Sequence, residues 1–112
     1  MSKKTILFLL DNPYSNDRRV MREAEALNQS SEFTVQVIAT YESNFSKQEI
    51  INGVQINRLF LTDIKDIKDY NAHSKYASII AEKYDFDSIH AHDQVMLIIA
   101  VKLKRITGKK VI

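Results

Sequence analysis

Two short stretches hold most of the residues able to do chemistry. The first is His90-Ala91-His92-Asp93. Histidines two apart lie on the same face of a strand. Such a pair can move protons near neutral pH or, with a carboxylate, hold a metal. Asp93 directly adjoins His92, and an aspartate there suits a helix N-cap. The spacing matches no familiar metallohydrolase pattern, so no metal is expected. His90 reads equally as a hydrogen-bonded, half-buried sheet residue. His92 sits at the very end of the same strand and is the stronger functional candidate.

The second stretch is Asp11-Asn12-Pro13-Tyr14-Ser15-Asn16-Asp17. Asp11 or Asn12 can bind a sugar hydroxyl, and each is also an ordinary turn residue. Arg18, Arg19 and Arg22 follow in the first turns of a helix. There they can meet a phosphate or acidic head group, or simply form a solvated face. Lys102, Lys104, Arg105, Lys109 and Lys110 make a second basic group. It suits an anionic membrane surface, although cations at a helix C-terminus need no partner.

These stretches need elements to position them. Ile6 to Leu10 is continuously apolar, as in a strand buried on both faces of a parallel sheet. Ser15, Asn16 or Asp17 can cap a helix over Asp17 to Asn28, with Val20, Met21, Ala24 and Leu27 at helical spacing. Phe33, Val35 and Val37 alternate into a second strand that Ile38-Ala39 continue. Tyr41 to Asn52 has no clean period, with a helical turn over Lys47 to Ile51. Asn52-Gly53 signals a turn, and Val54, Ile56 and Arg58-Leu59 form a third strand. Ile67, Tyr70, Ser74, Ala77, Ala81 and Tyr84 fall on one stripe, which predicts a helix over Asp66 to Lys83.

Ser88 to Ala91 is a short strand and Asp93 caps the helix after it. That helix is apolar nearly all round from Val95 to Leu103, which predicts deep burial. Gly108 stops it. Val111-Ile112 begins another apolar strand, which reads as the opening of an element that a larger domain would complete. Strands alternating with helices imply an α/β fold: a mainly parallel sheet in a Rossmann-like, three-layer α/β/α arrangement. In such sheets ligands bind at the carboxyl ends of the strands, where both stretches fall.

Bulk properties bound the classes. The 112 residues suit one domain, and 45% hydrophobic with 27% charged residues argues against disorder. A net charge of +2 gives no reason to expect nucleic acid as a partner. The absence of cysteine excludes thiol catalysis and disulfides and is compatible with a cytoplasmic location. Only Gly53 and Gly108 are present, so no dinucleotide or P-loop fingerprint exists. No G-x-S-x-G elbow occurs either.

Taken in order, the segments resemble family 4 glycosyltransferases. Asn16 to Leu27 resembles the "D-x-R-V-x-x-E-A-x-x-L" helix, and Phe33 to Ile38 the strand after it. Gly53 to Leu59 is similar to "G-V-x-V-x-R-L", Asp85 to Asp93 to "D-x-I-H-A-H-D", and Thr107 to Ile112 to "T-G-K-P-V-V". The resemblance implies the N-terminal, acceptor-side domain of a GT-B enzyme, cut off before the enzyme is complete. Its partner would be a nucleotide-sugar donor, held by a second domain, and a glycan or lipid-linked acceptor. Transfer would retain anomeric configuration, without metal or other cofactor, in envelope or capsular polysaccharide synthesis. By position, His92 would contact the transferring sugar with Asp93 assisting. Asp11, Asn12, Tyr14, Arg18 and His90 would serve substrate binding. The enzyme would be cytoplasmic, with its basic helices on the inner membrane face. The piece alone would be inactive and would self-associate through its open sheet edge.

The chain departs from the family where Asp11-Asn12-Pro13-Tyr14 replaces the usual Gly-Gly pair, and where Ser30-Ser31-Glu32 replaces Gly-His. A GT-B-type nucleotide-sugar epimerase and a stand-alone flavodoxin-like binding module share the architecture. Fold alone does not separate them.

Overall fold

A computed structural model describes residues 3–15, 17–59 and 70–112. The described residues form six strands and three helices: β1 (Lys4–Leu9), α1 (Arg18–Gln29), β2 (Phe33–Thr40), β3 (Gln48–Ile51), β4 (Val54–Leu59), α2 (Tyr70–Lys83), β5 (Ser88–Ala91), α3 (Gln94–Thr107) and β6 (Lys110–Val111). The strands form one mixed sheet in the order β3-β4-β2-β1-β5-β6. Only the β3–β4 pairing is antiparallel among the described strands.

The order explains where the helices go. The β1-α1-β2 connection steps to one side of β1, and β4-α2-β5 returns across it to the other. Right-handed crossovers in opposite directions put their helices on opposite faces. Val20 and Ala24 of α1 accordingly pack with Ile6, Phe8, Val35, Val37 and Ile56 on one face. Ala77 and Ile80 of α2 join Met96, Ile99 and Leu103 of α3 against Leu7, Leu9, Ile38 and Ile89 on the other. A strand covered on both sides has no polar face to show, which is why β1 reads as unbroken apolar sequence from Ile6 onward.

The helix limits follow their caps. Asp17 accepts from the Val20 amide and starts α1. Asp93 accepts from the Met96 amide and starts α3, which ends where Gly108 turns left-handed at φ 75°. The start expected for α2 at Asp66, its stripe residue Ile67, and Asn16 lie outside the described residues.

Two expectations are corrected. Lys47 to Ile51 is not a helical turn: Gln48–Ile51 is an edge strand that pairs with β4 across a two-residue turn. Asn52 and Gly53, at φ 50° and 84°, supply the left-handed pair such a hairpin needs. Asn28 donates to the Gly53 carbonyl, and Asn52 to Glu25, which ties the turn to α1. Gly53→Ala is expected to cost about 1 kcal/mol through its positive φ alone. Its added Cβ would meet only ordinary contact, 3.6 Å from Asn28. Thermal unfolding of the variant checks this, and an unchanged midpoint would contradict it.

The second correction concerns α3, which is not buried all round. Leu97 is 50% and Val101 40% exposed, because the helix lies over β5 and β6 at one end of the described sheet and touches α2 on one flank only. No helix among the described residues is long and apolar enough to cross a membrane.

Candidate functional site

The chain changes direction across the sheet between β1 and β5, and a crevice opens at such a point beyond the carboxyl ends of the strands. Parallel register sets Phe8 beside His90 and Leu9 beside Ala91. The His92 amide continues the ladder to the Leu9 carbonyl at 3.1 Å. One step further, the Asp11 amide donates to Asp93 Oδ2 at 3.2 Å. The two stretches read from the sequence therefore meet.

On the α1 face the rings of Phe8, His90 and His92 form a packed group. His90 and His92 lie 4.2 Å apart at 34°. Phe8 stands edge-on to His90 at 5.2 Å and tilted to His92 at 4.6 Å. Glu23 of α1 approaches His90 Nδ1 at 3.4 Å. Nε2 of His92 is sealed from solvent and has no hydrogen-bond partner. Burial, then the adjacent His90, push its pKa down to about 4; the carboxylates of Glu23 and Asp17 oppose this, and Arg19 adds to it. At neutral pH His92 is thus an uncharged imidazole with an unsatisfied nitrogen, suited to exchange a hydrogen bond with a hydroxyl.

The sign of the pH dependence follows. The folded state binds fewer protons at His92 than the unfolded chain between pH 6.5 and about 4. Stability is therefore greatest above that window and is lost as pH falls through it, by roughly 1 kcal/mol after allowance for the half-buried ring. The His92 ring resonances should keep their neutral positions down to pH 5 in an NMR titration. Protonation near 6.5 would contradict this environment.

Asp93 has several tasks. Its Oδ1 caps α3 and its Oδ2 holds the Asp11 amide, so one side chain joins the loop after β1 to the helix after β5. Burial raises its pKa; the Met96 amide lowers it, and the Asp11 carboxyl raises it further by charge and hydrogen bonding. A raised carboxyl contributes the opposite slope: its stabilisation is present at low pH and is lost as pH rises through its folded value.

The loop after β1 also borders a cleft of about 640 Å³, lined by Asn12, Pro13, Ser15 and Asp17 on one side and Glu42 and Phe45 on the other; Asp11, His90, His92 and Asp93 do not line it. Its two walls come from the loop after β1 and the segment between β2 and β3. Asn12 accepts from the Tyr14 amide in an Asx turn, and its carbonyl accepts from Thr40 at the end of β2. Tyr14 does not line the cleft. It is 1% exposed within the α1-face core, at φ 62°, and burial and Glu25 raise its pKa to about 12. Arg18 is exposed on the first turn of α1 and is not among the lining residues.

Arg58, a strand residue by its sequence pattern, fastens both walls. Its side chain is 0% exposed. Nε donates to the Pro13 carbonyl at 2.8 Å and Nη1 to the Ser46 carbonyl at 2.9 Å. Nη2 reaches Glu49 at 3.3 Å, and the guanidinium lies 4.8 Å from the Phe45 ring centre. A cation placed within a strand of the sheet, directly before Leu59, was the available signal.

Among the described residues, no three His, Cys, Asp or Glu side chains converge in a way that could hold a metal ion. Compared with known protein families, curated proteins and solved structures, the chain gives no match.

Proposed function

We propose that the chain is a Rossmann-like, three-layer α/β/α domain forming the acceptor side of a retaining glycosyltransferase of GT-B type. The observation that carries this reading is the meeting of His92 and Asp93 with the Asp11–Asp17 loop at the point where strand order reverses. The cleft that the same loop borders supports it. Carboxylates, an amide and a hydroxyl there can bind sugar hydroxyls, and Phe45 offers an apolar ring for a pyranose face. In this reading a nucleotide-sugar comes from a second domain and the acceptor, a glycan or lipid-linked sugar, lies in the cleft. Neutral His92 bonds a hydroxyl of the transferring sugar. Asp93 keeps that loop in register.

The chain itself permits a test. A panel of mono- and oligosaccharides titrated to roughly 10 mM should shift the amides of Asn12, Ser15, Glu42 and Phe45 together with the His92 ring. Shifts confined to other faces, or none for any sugar, would overturn the reading.

A further inference from the structure

Nε2 of His92 has no hydrogen-bond partner among the described residues, so at that atom the ring is held by packing. Two rings do the packing. Phe8 is tilted against it at 4.6 Å, and His90 lies alongside at 4.2 Å and 34°. Phe8 is fully buried in β1 and has no polar group to be steered by. His90 has one: its Nδ1 lies 3.4 Å from Glu23 Oε1.

Glu23 comes from a different element. Val20 and Ala24 anchor α1 in the core, and Glu23, three residues after Val20, falls on the flank next to β5. The two glutamates of α1 divide their work. Glu25 accepts from Asn52 and secures the hairpin turn. Glu23 makes its ionic contact with His90, and Arg19, one turn earlier, forms no ion pair with it among the described residues.

We propose that Glu23 is a positioning residue for His92, acting through His90. A carboxylate beside Nδ1 favours the ring proton on that nitrogen and fixes which way the imidazole faces. His90 then presents a fixed side to His92, and His92 keeps its buried Nε2 in one direction. The meaning of this for sugar transfer rests on the reading proposed for His92. The coupling of the three side chains does not.

The test is NMR of the imidazole nitrogens of the whole 15N-labelled chain at about pH 8.5, above the ordinary histidine range. His90 should carry its proton on Nδ1, with Nε2 at the far-downfield shift of a bare nitrogen. Glu23→Ala should move that proton mainly to Nε2, the nitrogen an imidazole prefers in water. The His92 ring protons should shift with it as the stack loosens. Glu23→Gln keeps an acceptor oxygen and should retain the parent pattern at both rings. The Val20 and Ala24 amides should stay in place in both variants, because Glu23 is 42% exposed and does not pack the core. In the enzyme of the proposed reading, Glu23→Ala should lower kcat roughly tenfold at constant acceptor KM, and Glu23→Gln should restore most of it. The proposal is overturned if His90 of the parent chain carries its proton on Nε2, or if Glu23→Ala leaves both rings unchanged. Shifts at Val20 and Ala24 as large as those of the rings would overturn it too, since they mark a merely structural role. The expected ring shifts without binding of any sugar would sink the glycosyltransferase reading and leave the coupling of Glu23 to His92 standing.

Discussion

Arg58→Ala is expected to lower the unfolding free energy by about 3 kcal/mol, a loss on the scale of truncating a large core side chain. The substitution removes donors from two carbonyls, Pro13 and Ser46, that come from different loops. It also leaves a void where a fully buried guanidinium stood. Glu49 contributes less, because it stays about one-third exposed and water can replace its partner. Glu49→Gln alone should therefore cost under about 1 kcal/mol. Arg58→Lys keeps the charge but cannot span both carbonyls and should fall between the two. Urea unfolding of the three variants decides the matter. A loss below about 1 kcal/mol for Arg58→Ala would mean that the guanidinium does not hold the loops together.

His92→Ala is expected to have the largest effect on activity. In the enzyme that the proposed reading requires, the rate of sugar transfer should fall by roughly 100- to 1000-fold, with little change in acceptor KM. The reason is that a neutral, positioned imidazole contributes a hydrogen bond where charge develops, rather than holding the ground state. Asp93→Asn separates positioning from chemistry. The amide oxygen can still cap α3 or accept from Asp11, so the fold should persist while the carboxyl's charge is lost. A KM rise at constant kcat for His92→Ala would assign the ring to binding alone.

Much of the scaffold was legible because its determinants are local. The apolar run from Ile6 to Leu10, the caps Asp17 and Asp93 and the stop at Gly108 each act within a few residues of where they stand. The edge strand β3 was not legible. Gln48-Glu49-Ile50-Ile51 has weak strand character of its own and is held by β4 across the Asn52-Gly53 turn. The outer face of α3 was misread because burial belongs to neighbours: an apolar helix at the end of a sheet is covered only where α2 and the strands reach it.

The site divides in the same way. The partnership of Asp11 with Asp93 follows from strand ends at a reversal of strand order, a rule of topology that sequence order can suggest. His90 and His92 share a face by their spacing alone, whereas the packing of Phe8 against them depends on the register between β1 and β5, which no single segment reveals. Tyr14 and Arg58 exchanged the places their chemistry suggests. The loop tyrosine entered the core because a left-handed backbone turns it inward. The strand arginine became a buried clamp because two loops offer it carbonyls.

The acceptor-side assignment is tested most directly by sugar transfer itself. The product of the entire reading frame containing this chain would be incubated with a panel of nucleotide-sugars and lipid-linked or oligosaccharide acceptors, and the new linkage read by NMR. The account predicts transfer with retained anomeric configuration that His92→Ala slows by roughly 100- to 1000-fold. Inverted linkages, or no turnover of any donor in the panel, would contradict it.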